Sequence, residues 1–487
     1  MIDLRKLTIK TAHEHLMAGD FSAVELANEY KKNIKAKNPG INAYLEMFGD
    51  IDEQAAAADN KIAAVRKSSV GSAEKNNTEI GILTGIPISI KDNILIKGRI
   101  ASSASKMLQN YRATYDATVI TKLKGSGTVF LGRTNMDEFA MGGSTENSAF
   151  GVVKNPHDLS RVAGGSSGGA AASVAADLAL AAIGSDTGGS IRQPASFCGL
   201  VGLKPTYGAV SRSGLMAMAS SLDQIGPLAK TVDDAEILFN VIKGKDKMDS
   251  TSMDVAAIKP AIPKKLKIGV PRSYLGQGVD ADVLKNFEAT MTALKKEGHE
   301  IVDIEIPNLK YSLAVYYILQ PAEVSSNMAR FDGVKYGLLK EGNNLLDDYL
   351  LTRQAGFGKE VRRRIMLGTY VLSSGYYDAY YYKANLVRAG IIKDFEHALK
   401  NVDVVATPTS PIPAFKIGEK SNDPLAMYLA DIFTVSANII TFPALSVPSG
   451  TVDRDDKKLP LGVQFTAGYG CEPTLFAAGR ALEKIRP

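Results

Sequence analysis

The chain of 487 residues has no tryptophan, two cysteines and five histidines, and each scarcity narrows what the protein does. Cys198 and Cys471 lie far apart without a CxxC spacing, which argues against a disulfide framework or a zinc site and fits a reducing compartment. No metal is expected. Of His13, His15, His157, His299 and His397, only His157 is close in sequence to the glycine-serine loops described below, so a Ser-His-Asp triad is unsupported, though distant segments can assemble one. A net charge of +5 is too small to imply nucleic-acid binding by this chain unaided. The longest apolar run, Ala170 to Ile183, is interrupted by Asp177 and is too short and alanine-rich to span a bilayer. Met1 to Lys6 leads into a polar amphipathic segment rather than an apolar signal core. A soluble cytoplasmic protein without a membrane partner is expected.

What is present is 45% apolar residues and 44 glycines, the composition of a globular protein with many tight loops. The length alone would make about three domains, but large α/β enzymes often keep it in one layered unit. Helical and extended signals alternate. Ser22 and Glu25 form a capping box before Leu26, Tyr30 and Ile34; Ser68 to Glu79 is polar and flexible in character; Ile86 to Ile90 is a β-branched strand. Asp116 is read as the cap of a helix carrying Val119, Ile120 and Leu123, Thr128 to Leu131 as a strand, and Gly168 to Leu180 as a helix leading to another strand. Ile268 to Val270, Val402 to Ala406 and Leu445 to Val447 read as buried strands, and Asp280 to Glu297 and Pro473 to Ile485 as helices. This rhythm predicts an α/β fold, a mixed sheet covered by helices on both faces. We expect one domain over 1–487 with a mainly helical N-terminal arm, 1–67, and a helical subdomain, 310–400. Lys243 to Lys265 is expected to be a surface connection. Tyr376, Tyr377, Tyr380, Tyr381 and Tyr382 read as packing residues with wet hydroxyls rather than a base-stacking platform, since no basic residues interleave them.

The chemistry concentrates in two loops, Gly164-Gly165-Ser166-Ser167-Gly168-Gly169 and Asp186-Thr187-Gly188-Gly189-Ser190. Glycines flanking a serine let the backbone approach substrate and aim N–H groups at one point, as an oxyanion requires. The first loop contains G-x-S-x-G registers that also fit the nucleophile elbow of an α/β-hydrolase, with His397 as the downstream histidine. A phosphate cradle is less well supported, because no Gly-Lys-Ser/Thr follows. A different base is available in Lys91, which ends an apolar strand where burial would lower its pKa. Taken alone, it would read as a lysine snorkelling at a strand end.

Lys91, Ser166 and Ser190 with their flanks, including Gly184-Ser185-Asp186-Thr187-Gly188-Gly189-Ser190-Ile191-Arg192-Gln193-Pro194-Ala195, resemble the amidase signature family. The resemblance implies that family's fold and its Ser-cisSer-Lys triad: Ser190 the nucleophile, Ser166 the bridging serine on a cis peptide, Lys91 the base. The peptide N–H groups of Thr187, Gly188, Gly189 and Ser190 would hold the oxyanion. Cys198 reads as a small apolar residue packed behind the loop.

Within the family, Gly132 to Gly142, Ser144 to Ser148, Lys204 to Gly208, Ser220 to Pro227 and Gly356 to Val361 resemble the glutaminase subunits of glutamyl-tRNA(Gln)/aspartyl-tRNA(Asn) amidotransferases more than free-standing amidases. This similarity implies glutamine as substrate, with Arg364 clamping its carboxylate, Asp431 taking its ammonium and Tyr316 on the wall. It implies two further subunits in a heterotrimer, tRNA held mainly by a partner, and ATP and magnesium on a partner with no cofactor in this chain, which has no P-loop or kinase-type glycine loop. The helical subdomain and the segments around Ser190 are the expected docking surfaces. The acceptor would be Glu-tRNA(Gln), Asp-tRNA(Asn) or both. Three departures stand out: Ala170 and Gly143 where the family usually has serine, and Ala209, at an arginine position, expected to alter a surface or partner contact. A free-standing amidase and a non-catalytic scaffold are the other readings, the latter opposed by the intact Lys91, Ser166 and Ser190.

Overall fold

Local signals set some of the helix starts. Ser22 Oγ accepts the Glu25 N–H while the Glu25 carboxylate accepts the Ser22 N–H, and the helix Ala23–Ile41 follows. Thr8 and Thr11 make the same reciprocal cap for Ile9–Ala18. The computed structural model describes residues 2–68, 80–258, 260–276 and 278–486; apart from Ser68, the polar stretch Ser68 to Glu79 lies outside these.

Among the described residues, eleven strands form one mixed sheet flanked by helices. They are β1 Tyr44–Met47, β2 Pro87–Lys91, β3 Val129–Thr134, β4 Ala181–Asp186, β5 Val201–Lys204, β6 Gln224–Ala229, β7 Lys267–Val270, β8 Glu300–Asp303, β9 Val404–Pro408, β10 Ala444–Arg454 and β11 Lys457–Thr466. Their spatial order is β1-β3-β2-β4-β6-β5-β10-β11-β9-β7-β8. β2 runs parallel to both neighbours, β3 and β4, so it sits inside a parallel patch buried on both faces. That explains the apolar, β-branched character of Ile86 to Ile90. β1 is an edge strand, antiparallel to β3, and ties the otherwise helical N-terminal segment to the sheet. The helix Glu472–Ile485 packs on β10 and on the helix Val232–Ile242.

Several readings need correction. The helix beginning at Gly168 ends at Ala175, not Leu180, because Asp177 turns into the left-handed region at φ 57° and the Leu178 and Ala179 N–H groups fold back onto the Ser173 carbonyl. Asp116 does not cap Thr118–Gly125; Ala117 occupies the cap, and the Asp116 carboxylate instead accepts from the Lys97 N–H and from Lys124 Nζ. Between Lys310 and Leu399 the chain forms the helices Ser312–Asn327, Leu345–Gly356, Lys359–Leu372 and Lys383–Ala398. The first and third lie in close contact: a Cβ at Gly368 would fall 1.8 Å from the Pro321 carbonyl oxygen, so only glycine fits this crossing. Of the five tyrosines, Tyr376, Tyr377, Tyr380 and Tyr382 are 40–54% exposed, so they contribute less packing than their spacing suggested.

Candidate active site

Alternation along β2 aims the lysine. Ser89 and Lys91 share one face of the strand, and Ser89 Oγ lies 2.9 Å from Ser173 Oγ on the helix Gly168–Ala175. Lys91, two residues further on, reaches the N-terminal end of that helix. The helix itself lies tightly against the backbone beyond β3: a Cβ at Gly169 would sit 2.3 Å from the Asn135 carbonyl oxygen. The Gly165–Ser166 peptide before the helix is cis.

Lys91 Nζ is fully enclosed. It lies 2.8 Å from Ser166 Oγ, 2.8 Å from Ser167 Oγ, 2.9 Å from Ser185 Oγ and 3.3 Å from the Ser185 carbonyl oxygen. Burial pulls its pKa from 10.5 down to about 7, against the opposing pull of the Asp137, Asp186 and Asp223 carboxylates. The hydrogen-bond directions follow from the partners. Ser167 Oγ donates to the Ser185 carbonyl at 3.0 Å, so toward Lys91 it accepts; the Ser185 carbonyl accepts by nature. A neutral amine has two N–H bonds and one lone pair. With the N–H bonds spent on Ser167 and Ser185, the lone pair is left for the Ser166 hydroxyl, which is the arrangement a proton relay needs. Ser167 and Ser185 lie within the quoted segments, but nothing local says that their hydroxyls converge on Lys91.

The second loop leaves the end of β4 and enters the short helix Arg192–Phe197. Ser190 retains 7% exposure, and its carbonyl accepts the Ser167 N–H at 3.1 Å, joining the two loops. Asp186 organises this turn: its carboxylate accepts from the Gly189 N–H at 2.9 Å and the Ile191 N–H at 3.0 Å. The Gly189 N–H, expected among the oxyanion donors, is therefore spent internally on Asp186. Arg192, fully buried, holds the same carboxylate with Nε at 3.0 Å and Nη2 at 2.9 Å. Burial would raise the Asp186 pKa, but Arg192 and Asn438 hold it below the ordinary range. Asp137 and Asp223 lack such a cation contact, and burial pushes them up, to about 7 and about 6.

Arg364 is the buried member of the Arg362 to Arg364 run. Its Nε donates to Glu360 Oε1 at 2.8 Å and its Nη1 to Gln320 Oε1 at 3.1 Å; its guanidinium also lies over the rings of Tyr317 and Tyr428. Glu360 stands four residues earlier on the same helix, a spacing that could have flagged the pair. Asp431 accepts from Tyr317 Oη at 3.3 Å, and burial raises its pKa to about 7, with Arg364 pulling the other way. Tyr316 is buried against Gly188, while its neighbour Tyr317 makes the bond to Asp431.

A family model described as Amidase matches residues 25–476. The chain belongs to the amidase family. It is 49% identical over 488 residues to the A-type subunit of the glutamyl-tRNA(Gln) amidotransferase of Koribacter versatilis, covering 99% of each chain. Identity to the protein of the same name from Thermoanaerobacter pseudethanolicus is 50% over 491 residues, covering 99% of this chain and 97% of that one. The crystal structure of the corresponding A-type glutamyl-tRNA(Gln) amidotransferase subunit from Thermotoga maritima superposes with a TM-score of 0.79 at 42% identity, covering 100% of this chain and 96% of that chain.

For this amidase-family member the histidine alternative finds no support in the geometry. His397 is exposed on Lys383–Ala398, and His157 Nε2 lies 3.1 Å from the Cys198 carbonyl oxygen. Cys198 is buried, its thiol pushed up by burial and directed at the Ala163 carbonyl. Ala209 is fully buried, so the surface or partner contact expected of that position is corrected to an interior one. Gly143 uses its carbonyl to accept from Gln193 Nε2 at 2.8 Å, and Ala170 packs in the core. Among the described residues no group of His, Cys, Asp and Glu is arranged to hold a metal, and no helix is long and apolar enough to cross a membrane.

Proposed function

We propose that this chain is the glutamine-hydrolysing subunit of a tRNA-dependent amidotransferase, supplying ammonia for conversion of Glu-tRNA(Gln) to Gln-tRNA(Gln). The observation that carries this reading is the near-half identity, end to end, to subunits of that name in two species, and the buried Lys91–Ser166 contact beside Ser190 supplies chemistry that fits it. Ser190 Oγ attacks the side-chain amide carbon of glutamine as its proton passes through Ser166 to neutral Lys91. The N–H groups of Thr187, Gly188 and Ser190 stabilise the oxyanion. Collapse returns the proton to the departing nitrogen and releases ammonia; water then adds to the γ-glutamyl ester, releasing glutamate and restoring Ser190. Arg364 recognises the substrate carboxylate and Asp431 its ammonium, with Tyr316 against the loop.

Activation of the carboxylate on tRNA requires ATP and magnesium, which this reading assigns, with most of the tRNA contact, to partners in a cytoplasmic heterotrimer. Ammonia released into water would be protonated, so the partners must receive it by a protected route. Reconstitution tests the reading. The isolated chain should hydrolyse glutamine weakly without tRNA-dependent ATP use, and adding two partner subunits should couple the reactions. Robust turnover of diverse amides, unchanged by partners, would identify a free-standing amidase.

A further inference from the structure

One closed ring of hydrogen bonds passes through the nucleophile loop, and one member lies outside every motif discussed above. Thr434, fully buried, follows the short helix Pro424–Leu429 and precedes Val435–Ile439. Its Oγ1 lies 2.6 Å from the Gly188 carbonyl oxygen and 3.1 Å from the Asp431 carbonyl oxygen. A hydroxyl has one proton to give. The Asp431 carbonyl already accepts from the backbone N–H groups of Thr434 and Val435, so the shorter contact, to Gly188, takes it.

The ring then closes. The Thr434 carbonyl accepts from Arg192 Nη1 at 2.8 Å, Arg192 holds the Asp186 carboxylate, and Asp186 accepts the Gly189 N–H. Gly188 O and Gly189 N belong to a single peptide group, so the ring grips that peptide at both ends. Contacts leave it little room: a Cβ at Gly188 would fall 2.5 Å from the Tyr316 ring, and one at Gly189 2.3 Å from Thr434 Oγ1. The peptides on either side carry the N–H groups of Gly188 and Ser190. Fixing the plane between them fixes where both can point, and oxyanion stabilisation depends on donors set in place before the charge develops.

We infer that Thr434 is a positioning residue for hydrolysis, its hydroxyl clamping the Gly188–Gly189 peptide so that the flanking N–H groups face the oxyanion. The inference rests on the Ser190 reading of the site. The test compares Thr434→Val, which keeps the shape and loses the donor, with Thr434→Ser, which keeps the donor. Substrates are glutamine and a small neutral amide, and Ser190→Ala is run in parallel. Thr434→Val should lower kcat by roughly 10- to 100-fold on both substrates, because the oxyanion is common to them, with the glutamine KM within about threefold of wild type. Thr434→Ser should recover to within about threefold. Wild-type kcat in Thr434→Val, equal impairment in Thr434→Ser, or a loss confined to glutamine would overturn the inference. Should the valine variant not fold, Thr434→Ala against Thr434→Ser makes the same comparison. Retained hydrolysis in Ser190→Ala would overturn the active-site reading itself, a distinct result.

Discussion

Lys91→Met separates what the buried amine contributes to chemistry from what it costs the fold. Burial lowers the amine pKa from 10.5 to about 7. The folded-state value lies below the unfolded one, so between them the unfolded chain binds the extra proton. Stability of the wild type therefore falls as pH drops through that window and levels off below about 7. At about 1.4 kcal/mol per pH unit, the full window weighs about 5 kcal/mol against the folded state at pH 7. Methionine has a similar length and no charge, and it removes this opposition. It also removes the Nζ bonds, but Ser167 Oγ keeps its bond to the Ser185 carbonyl and Ser185 Oγ keeps the one from Asn93 Nδ2. The polar groups left short then cost about 1–3 kcal/mol. The variant should be more stable than wild type by about 2–4 kcal/mol at pH 7 and close to it near pH 9, where the lysine contribution has shrunk to about 2 kcal/mol. Turnover should fall by several powers of ten. Urea unfolding from about pH 6 to about pH 9, alongside glutamine hydrolysis, measures both quantities. A variant less stable than wild type at pH 7, or a stability difference that does not shrink as pH rises, would refute the reasoning.

The same pKa sets the rate profile: kcat/KM should rise as pH passes through about 7 and Lys91 loses its proton, and a flat profile through neutrality would mean that a neutral lysine is not required. Ser190→Ala should abolish glutamine hydrolysis, and an electrophilic glutamine analogue should label Ser190 by peptide mass spectrometry; label on Cys198 instead would contradict the serine mechanism. Arg364→Lys and Asp431→Asn should each cost about 2–4 kcal/mol in kcat/KM for glutamine and far less for a neutral amide. Equal losses on both substrates would make these residues structural.

Features that depend on neighbours in the chain are legible without the fold. Ser22 and Glu25 cap a helix because the capping box spans one turn, and Ile86 to Ile90 reads as a buried strand because its β-branched run fits a parallel patch. The paired glycine-serine loops are what the proposal of serine chemistry starts from, since few other demands place glycine on both sides of a serine. Alanine favours helix in any setting, so the local pattern extends the helix after Gly168 to Leu180, and only tertiary contacts make Asp177 turn. That Lys91 meets Ser167 and Ser185, that Gly189 gives its N–H to Asp186, and that Thr434 reaches Gly188 across 246 residues were decided by the tertiary structure alone. Local patterning shows which residues could donate or accept; burial and the meeting of distant strands and loops select their partners, because an enclosed polar group must pair with whatever the fold brings within reach.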